Sequence, residues 1–200
     1  ANYEQNEELE WLVRANAAFS EGNTINIENG DFVEGSVAMA YRPTDNDKLN
    51  VLAKYQFFYD LAPDAQQLNG SAATYKQKSH IVSVDGIIDV NEHISVGAKY
   101  GYKMGAIKQP AGQWVDSNVH LGVLRADVHV VHNWDATAEA RALYQEESDT
   151  LNAGALIGVH RHLGDHVKVG VGYNFSEFSD DLTNVNFENE GVFFNMIGKF

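Results

Sequence analysis

The segment VKVGVGYNF, residues 167–175, alternates between two classes of side chain without a break. Its odd-numbered positions hold valine, tyrosine and phenylalanine, and its even-numbered positions hold lysine, glycine and asparagine. Successive side chains of a β-strand point to opposite faces of a sheet. The segment therefore predicts a strand with one apolar face and one polar face.

The same two-residue period continues through the rest of the chain, which indicates a protein built of β-strands. No segment approaches the roughly 20 apolar residues that a membrane helix needs. The predicted strands lie at residues 11–20, 33–42, 50–60, 79–90, 94–103, 124–130, 136–145, 153–162, 167–175 and 192–200.

The connections between these strands alternate in length. Short turns are expected at residues 43–48, 91–93, 132–135 and 161–165, and longer polar connections at 21–31, 61–76, 105–118, 146–150 and 176–190. Outer-membrane barrels carry short turns on the periplasmic side and long loops outside the cell. We therefore predict an all-β fold, a transmembrane antiparallel up-and-down β-barrel of about ten strands, in the bacterial outer membrane. In this arrangement residues 11–200 form the barrel, residues 1–10 are a periplasmic N-terminal lead, and both termini are periplasmic.

A soluble β-sandwich or a lipocalin-like barrel would show the same alternation, with the apolar face turned inward. The aromatic side chains separate the alternatives, because those of membrane barrels gather at the two membrane interfaces. Here the middle of each apolar face is small or aliphatic and the aromatics fall toward the strand ends, which favours a face in contact with lipid. These aromatics are Trp11, Tyr41, Trp134 and Phe200 on the short-turn side, and Phe19, Tyr59, Tyr102, Tyr144 and Phe175 on the loop side.

The composition excludes several classes of function. A formal charge of −14 argues against nucleic acid as a partner, because a phosphate backbone needs clustered lysine and arginine. The chain has no cysteine, which excludes thiol catalysis and cysteine-ligated zinc. The absence of cysteine also fits a protein that must cross an oxidising periplasm without forming incorrect disulfides.

The chain ends in GVFFNMIGKF, residues 191–200. Its terminal aromatic follows apolar residues at alternate positions, and this looks like the sorting signal read by the outer-membrane barrel-assembly machinery. Such recognition adds a strand to an open sheet edge, so an alternating last strand suits it physically. Gly198 departs from the pattern, where a larger apolar residue is common. The residues that match the signal are Val192, Phe194, Met196 and Phe200.

Three further segments resemble the C-terminal outer-membrane β-barrel domains of large Gram-negative surface proteins, in which a barrel follows long repeat or adhesin-like regions. They are residues 167–200, which contain GVGYNFSEFSDDLTNVNF and then the terminal strand, FVEGSVAMAYRP at residues 32–43, and residues 45–60. The resemblance covers most of the chain, and its motifs report barrel architecture more than activity. It implies an anchoring role at the cell surface and names no substrate or catalytic residue.

The polar faces of the predicted strands carry charges of both signs at mid-strand. A ten-stranded barrel has a narrow interior that side chains can largely fill, and unpaired ions inside it would be costly. We expect an ion-pair network that plugs the lumen of an anchor or scaffold, with Glu34, Asp127 and Glu139 neutralising Arg14, Arg125 and Arg141. A narrow porin-like channel is the alternative. The network comprises Arg14, Glu34, Lys54, Asp85, Lys99, Arg125, Asp127, Glu139, Arg141, Lys168 and Lys199.

The expected partners follow from the predicted location. The apolar outer face would contact the lipid bilayer and lipopolysaccharide, and the assembly machinery would act during biogenesis. A protein partner on the surface or in the periplasm is compatible with an anchoring role.

A barrel protease of the omptin type is a third hypothesis, because such enzymes use Asp/His couples to activate water. Asp127 and His129 share one strand face, which is the spacing such a couple needs. Their strand, however, runs toward the periplasmic rim, so His129 would lie far from the outer mouth. We therefore predict a protein that is not an enzyme.

Two groups of residues are candidates for metal binding, and the expectation for both is that no cofactor is bound. His129, His160 and His162 could ligate zinc or copper near the short-turn rim, or be simply polar. The connection at residues 176–190 is rich in carboxylates and could hold a divalent cation such as calcium, or be a solvated acidic loop.

Overall fold

The computed structural model describes residues 2–18, 32–60, 67–68, 71–72, 76–108, 112–131, 133–164, 167–178, 182 and 190–198. Within them lie fourteen strands. The strands are β1 (Asn2–Asn6), β2 (Leu9–Ala18), β3 (Phe32–Tyr41), β4 (Leu49–Asp60), β5 (Gln67–Leu68), β6 (Ser71–Ala72), β7 (Lys76–Asn91), β8 (Ile94–Lys108), β9 (Trp114–Asp116), β10 (Val119–Val131), β11 (Trp134–Gln145), β12 (Thr150–Leu163), β13 (Val167–Asn174) and β14 (Gly191–Gly198).

Twelve of these strands form one antiparallel sheet in the order β1-β2-β3-β4-β7-β8-β10-β11-β12-β13-β14, with β9 paired to β8. Strands β5 and β6 form a separate two-stranded hairpin. Each long strand pairs with the long strands before and after it in the chain, so the predicted all-β, up-and-down arrangement is confirmed. Among the described residues no helix is long and apolar enough to cross a membrane.

The ten predicted strands all exist, and the sheet holds two more. One is β1, which occupies residues 2–6 of the predicted lead and pairs with β2, with Tyr3 opposite Trp11. The other is β9, three residues that pair with the end of β8. The sequence did not reveal them because NYEQN has no two-residue apolar period and WVD is too short to show one.

Several strands also extend beyond their predicted limits. Strand β8 continues to Lys108, and β10 begins at Val119 rather than at residue 124. We call the end of the sheet at the connections 19–31, 61–75, 109–118, 146–149 and 175–190 the long-connection end. The opposite end, with turns 7–8, 42–48, 92–93, 132–133 and 164–166, is the short-turn end.

The two faces of the sheet differ in the side chains that they expose. One face, called the outer face here, presents the apolar residues of the alternating pattern to the surroundings, and Leu124, Ile157 and Phe194 are among the most exposed. The opposite, inner face carries most of the charged residues and also the cluster of buried apolar side chains. This distribution is the reverse of a soluble barrel, in which the apolar face is enclosed.

The sheet curls around its inner face. Phe178 and Leu182, in the connection between β13 and β14, belong to one buried cluster with Ile81 of β7. Strand β13 is separated from β7 by four other strands in the sheet order, so these side chains meet only if the sheet bends back on itself. Among the described residues, the two end strands β1 and β14 are not paired with each other.

Candidate functional site

The space enclosed by the inner face is the candidate site. The side chains that line it differ between the long-connection end and the short-turn end. Near the long-connection end the wall is apolar. The strand register places Gly101, Leu121 and Leu143 side by side on β8, β10 and β11, and Leu121 and Leu143 are almost fully buried. The complete apolar cluster consists of Ile81, Val119, Leu121, Val123, Leu143, Phe178 and Leu182.

Two members of this cluster are not part of the wall. Phe178 and Leu182 come from the connection between β13 and β14, and each is only 5 % exposed. Glycines on the wall make room for this connection. A Cβ at Gly101 would lie 2.7 Å from Leu182 Cδ1, and a Cβ at Gly154 would lie 2.6 Å from Ser176 Cβ. Ser176, Phe178 and Leu182 therefore lie inside the sheet at the long-connection end.

Next to this apolar region, toward the short-turn end, the inner face carries ion pairs. The guanidinium Nε of Arg141 donates to Glu139 on the same strand, and the two side chains are only 8 % and 9 % exposed. The Nε of Arg125 lies 2.9 Å from Asp127 Oδ2, and Thr137 Oγ1 donates to Asp127 Oδ1 at 2.5 Å. Both ion pairs join residues two positions apart in one strand.

A third group lies near the short-turn end, centred on Asp135. Its Oδ1 accepts from His129 Nδ1 at 2.8 Å, and its Oδ2 accepts from His162 Nε2 at 2.7 Å and from Lys168 Nζ at 2.6 Å. His160 lies opposite Asp135 in the register of β11 and β12; it is buried, and its Nε2 accepts from the Asn195 amide at 3.2 Å. One carboxylate thus links three strands, β10, β12 and β13, through β11.

The wall formed by β2, β3, β4 and β7 is more open. A cavity of about 520 Å³ is lined by Arg14, Ser36 and Lys54. A second cavity of about 790 Å³ lies toward the short-turn end, beside Arg42 and Asp85. The smaller cavity has only basic charged residues in its lining, whereas the larger one has both acidic and basic residues, so water can reach charged groups in this half of the interior.

Arg14 and Glu34, on this open wall, do not form the expected pair. Arg14 lies beside Asn16, whose amide oxygen can accept from Arg14 Nε at 3.1 Å. The register sets Glu34 opposite Asn16 rather than opposite Arg14, and no ion pair joins Arg14 to Glu34 in the part of the chain that is described. Lys54 and Lys99 are half-buried, and Asp85 is exposed to the larger cavity. Lys199 lies outside the described residues.

The metal-ligand candidates have other partners. His129 and His162 bind the two oxygens of Asp135, and His160 contacts Asn195. Within the described ranges no group of histidine and carboxylate side chains has the arrangement of a metal site. Most of the acidic connection at residues 176–190 lies outside the described residues.

The Asp127/His129 couple of the protease hypothesis is not formed as a hydrogen-bonded pair. Asp127 bonds to Arg125 and Thr137, whereas His129 bonds to Asp135. The structure therefore gives both side chains a role in linking strands.

The predicted assembly residues lie on the last strand. Val192, Phe194 and Met196 project from the outer face of β14 and are 62 %, 81 % and 76 % exposed. Phe200 lies outside the described residues. The exposure is high because β14 has a neighbour on only one side, β13, among the described strands.

Aromatic side chains mark both ends of the outer face. Near the long-connection end, His120 stacks on Tyr102 with ring centroids 4.4 Å apart. The Nε2–H of His120 donates to Glu146 at 2.7 Å, while Tyr100 bonds to Nδ1 at 2.8 Å. At the short-turn end, the Arg161 guanidinium lies 5.4 Å from the Trp134 ring centroid. Each end thus combines aromatic rings with polar groups.

The chain is similar in fold to a porin. The NanC porin, solved in a rhombohedral crystal form, superposes with a TM-score of 0.56 over 100 % of this chain and 97 % of the porin chain. The two sequences are 10 % identical, so the likeness shows the fold alone, a β-barrel. No family model matches the sequence, and no curated protein does.

Sequence reasoning missed the apolar level of the inner wall and the two side chains inserted against it. The available signal was the run VHLGVL at residues 119–124, in which His120 is the one polar residue and the face that is charged farther along the strand is apolar. A run of this kind indicates a strand buried on two sides. Its inner residues Val119, Leu121 and Val123 therefore pointed to something apolar inside the lumen.

Proposed function

We propose that this protein is an integral outer-membrane β-barrel that acts as an anchor or scaffold, with a lumen closed by its own side chains. The observation that carries the proposal is the distribution of side chains on the two faces. The exposed face is apolar, and the enclosed face holds paired charges and an inserted apolar cluster.

The membrane part of the proposal is supported by the outer face and by strand length. A transmembrane β-strand needs about 9–11 residues to cross the hydrocarbon core. The ten long strands contain from 8 residues in β13 and β14 to 16 residues in β7. Aromatic groups at both ends of this face, such as Tyr102 and Trp134, are suited to the two membrane interfaces. In this orientation the short-turn end and the C-terminal end of β14 are periplasmic, whereas β1 runs from the turn at residues 7–8 back along β2 as far as Leu12.

The anchor part is supported by the filled half of the lumen. Arg141 and Glu139 are withdrawn from water and neutralise each other, and Asp135 holds three basic side chains from other strands. Such contacts fix neighbouring strands and leave few charges free to guide a solute. An anchor of this kind would contact lipid and lipopolysaccharide, be inserted by the barrel-assembly machinery, and carry a surface or periplasmic protein component.

A narrow porin-like channel is the second candidate, and two observations favour it. The fold is similar to that of a porin. The wall formed by β2, β3 and β4 also borders cavities of about 520 and 790 Å³ whose linings include charged side chains. If these cavities joined from end to end, ions and small solutes would pass along the side of the lumen that carries Arg14 and Lys54.

Conductance in a planar lipid bilayer separates the two candidates. We expect the refolded protein to insert, as shown by protection from protease, and to give no steady conductance. A large and stable conductance from every inserted molecule would contradict the anchor proposal and support the channel. Empty bilayers and a known open porin at the same protein concentration provide the controls.

A further inference from the structure

The inward-folded residues between β13 and β14 suggest a specific means of closing the lumen. We infer that Phe178 and Leu182 form a hydrophobic plug that closes the lumen at its long-connection end. The inference rests on the proposed membrane barrel, and it assigns the closure to these two side chains rather than to the ion pairs.

The plug fits an apolar seat on the wall. Ile81, Val119, Leu121, Val123 and Leu143 come from three different strands, and together with the two plug residues they form one buried cluster. The lumen of a membrane barrel is usually polar. An apolar patch on its inner wall would be unfavourable unless something apolar covered it. Phe178 and Leu182 supply that cover, because both are 5 % exposed in the cluster.

The wall is also shaped to receive the plug. At Gly101, any side chain would collide with Leu182, because a Cβ there would be 2.7 Å from Leu182 Cδ1. At Gly154 a Cβ would be 2.6 Å from the Cβ of Ser176, which is fully buried. Gly101 lies on β8, between the seat strands β7 and β10, and Gly154 lies on β12, next to the seat strand β11.

The buried layer that contains the plug continues onto β4 and β7, which belong to the more open wall. Gln56 of β4 and Ser79 of β7 are buried on the inner face at the same end of the sheet, next to Ile81. The cavity of about 520 Å³ adjoins this layer, because Ser36 in its lining lies opposite Gln56 in the register of β3 and β4. We therefore expect removal of the plug to open this cavity toward the long-connection end.

The absence of cysteine allows a direct test of plug position. In the double variant Gly101→Cys/Leu182→Cys, the new sulfur at 182 would take the place of Leu182 Cγ, which lies 3.7 Å from the Cβ position of residue 101. That spacing is close to what a disulfide needs. We expect rapid oxidation to a disulfide in the folded protein. The matched control is Gly122→Cys/Leu182→Cys, because Gly122 lies on the outer face of β10 and should not cross-link.

Conductance then tests whether the plug closes the lumen. The double variant Phe178→Ser/Leu182→Ser should insert into bilayers and conduct steadily, at least about tenfold above the leak of the wild-type protein. Retention of the heat-modifiable folded form on gels would show that the variant still folds. A folded variant that stays silent would overturn the plug while leaving the anchor proposal intact, and failure of the cysteine pair to cross-link would overturn the plug as well.

One further outcome would contradict the anchor proposal and support the plug. If the wild-type protein conducts, and the oxidised Gly101→Cys/Leu182→Cys variant is silent until it is reduced, the anchor proposal fails. The plug would then be supported as a closure that can leave its seat.

Discussion

Arg141 and Glu139 form the least exposed ion pair that the structure records on the inner face, at 8 % and 9 % exposure. Changing Arg141→Ala would leave the Glu139 carboxylate enclosed without its partner. Removing one member of a buried pair costs about 3–5 kcal/mol. We therefore expect a marked loss of stability, measured as a lower urea midpoint for unfolding in detergent micelles.

Arg125 provides a control of the same residue type. Its side chain is 50 % exposed, although it also pairs with a carboxylate, Asp127. Exposed pairs contribute only about 0–1 kcal/mol. An Arg125→Ala variant should therefore unfold close to the wild-type midpoint. Equal losses from the two substitutions would show that enclosure does not govern the strength of these pairs.

Glu146, in the turn between β11 and β12, gives a pH-dependent prediction. A hydrogen bond from His120 is the main reason that the pKa of Glu146 lies below its ordinary value of 4.5. A lowered pKa in the folded state stabilises the fold above pH 4.5, and this contribution is lost as the pH falls through the lowered value. The wild-type protein should exceed Glu146→Gln in stability at pH 7.

The stabilities of the wild-type protein and the Glu146→Gln variant should also be compared at low pH. The difference in their urea midpoints should shrink below pH 4.5, because the wild-type carboxylate becomes protonated there and the glutamine does not titrate. A difference that stays constant from pH 7 to pH 3 would show that the charge of Glu146 makes no contribution.

At the scale of single strands, β14 combines a structural role with a proposed role in recognition. Its outward residues Phe194 and Met196 are the most exposed large apolar side chains in the described part of the chain. Assembly machinery that adds a strand to this edge would read these residues together with Phe200. We predict that Phe200→Asp lowers the amount of assembled protein in cells by about tenfold or more, while the purified variant refolds in detergent with little loss of stability.

A matched substitution at another outer-face position tests whether the effect is specific. Leu124→Asp changes an exposed apolar residue in the middle of β10. An arginine or lysine at the middle of a membrane strand destabilises a barrel by about 2–4 kcal/mol, and an aspartate does so by less. That variant should therefore lose refolded stability, and Phe200→Asp should not. Normal surface levels of Phe200→Asp would contradict the assembly-signal hypothesis.

Strand β10 shows what the sequence could and could not reveal. Its second half, from Leu124, alternates between polar and apolar residues, and the sequence predicted it correctly. Its first half was missed, because Val119, Leu121 and Val123 are apolar on the inner face and so remove the alternation. The inner residues are apolar there because they seat Phe178 and Leu182. When a strand is in contact with a connection that is distant in sequence, that contact does not appear as a two-residue period in the sequence of the strand.

The ion pairs show a similar limit. Alternation assigned Arg125, Asp127, Glu139 and Arg141 to one face, and this assignment agrees with their shared register on β10 and β11. Which acid meets which base depends on how far each side chain is enclosed and on where its neighbours lie. Neither property is encoded in a two-residue period, so Arg14 and Glu34 could not be separated from the pairs that form.

At the scale of the whole molecule, the exposed apolar face predicts dependence on amphiphiles. In water, such a large apolar surface would drive association between copies. We expect β-rich circular dichroism and a heat-modifiable gel band only in detergent or lipid, with aggregation when the amphiphile is removed. A monodisperse, folded protein in plain buffer would contradict the membrane proposal.

The long-range contact of the plug also bears on the order in which the molecule folds. Neighbouring strands of the sheet pair through short stretches of chain, and such local contacts close at low entropic cost. Phe178 meets Ile81 from roughly a hundred positions away, and contacts of that separation form late because the intervening chain must be ordered first. The seat itself consists of β7, β10 and β11, so it exists only after the middle of the sheet is assembled. Seating of the plug should therefore be the last kinetic step, reached after the sheet has already curled.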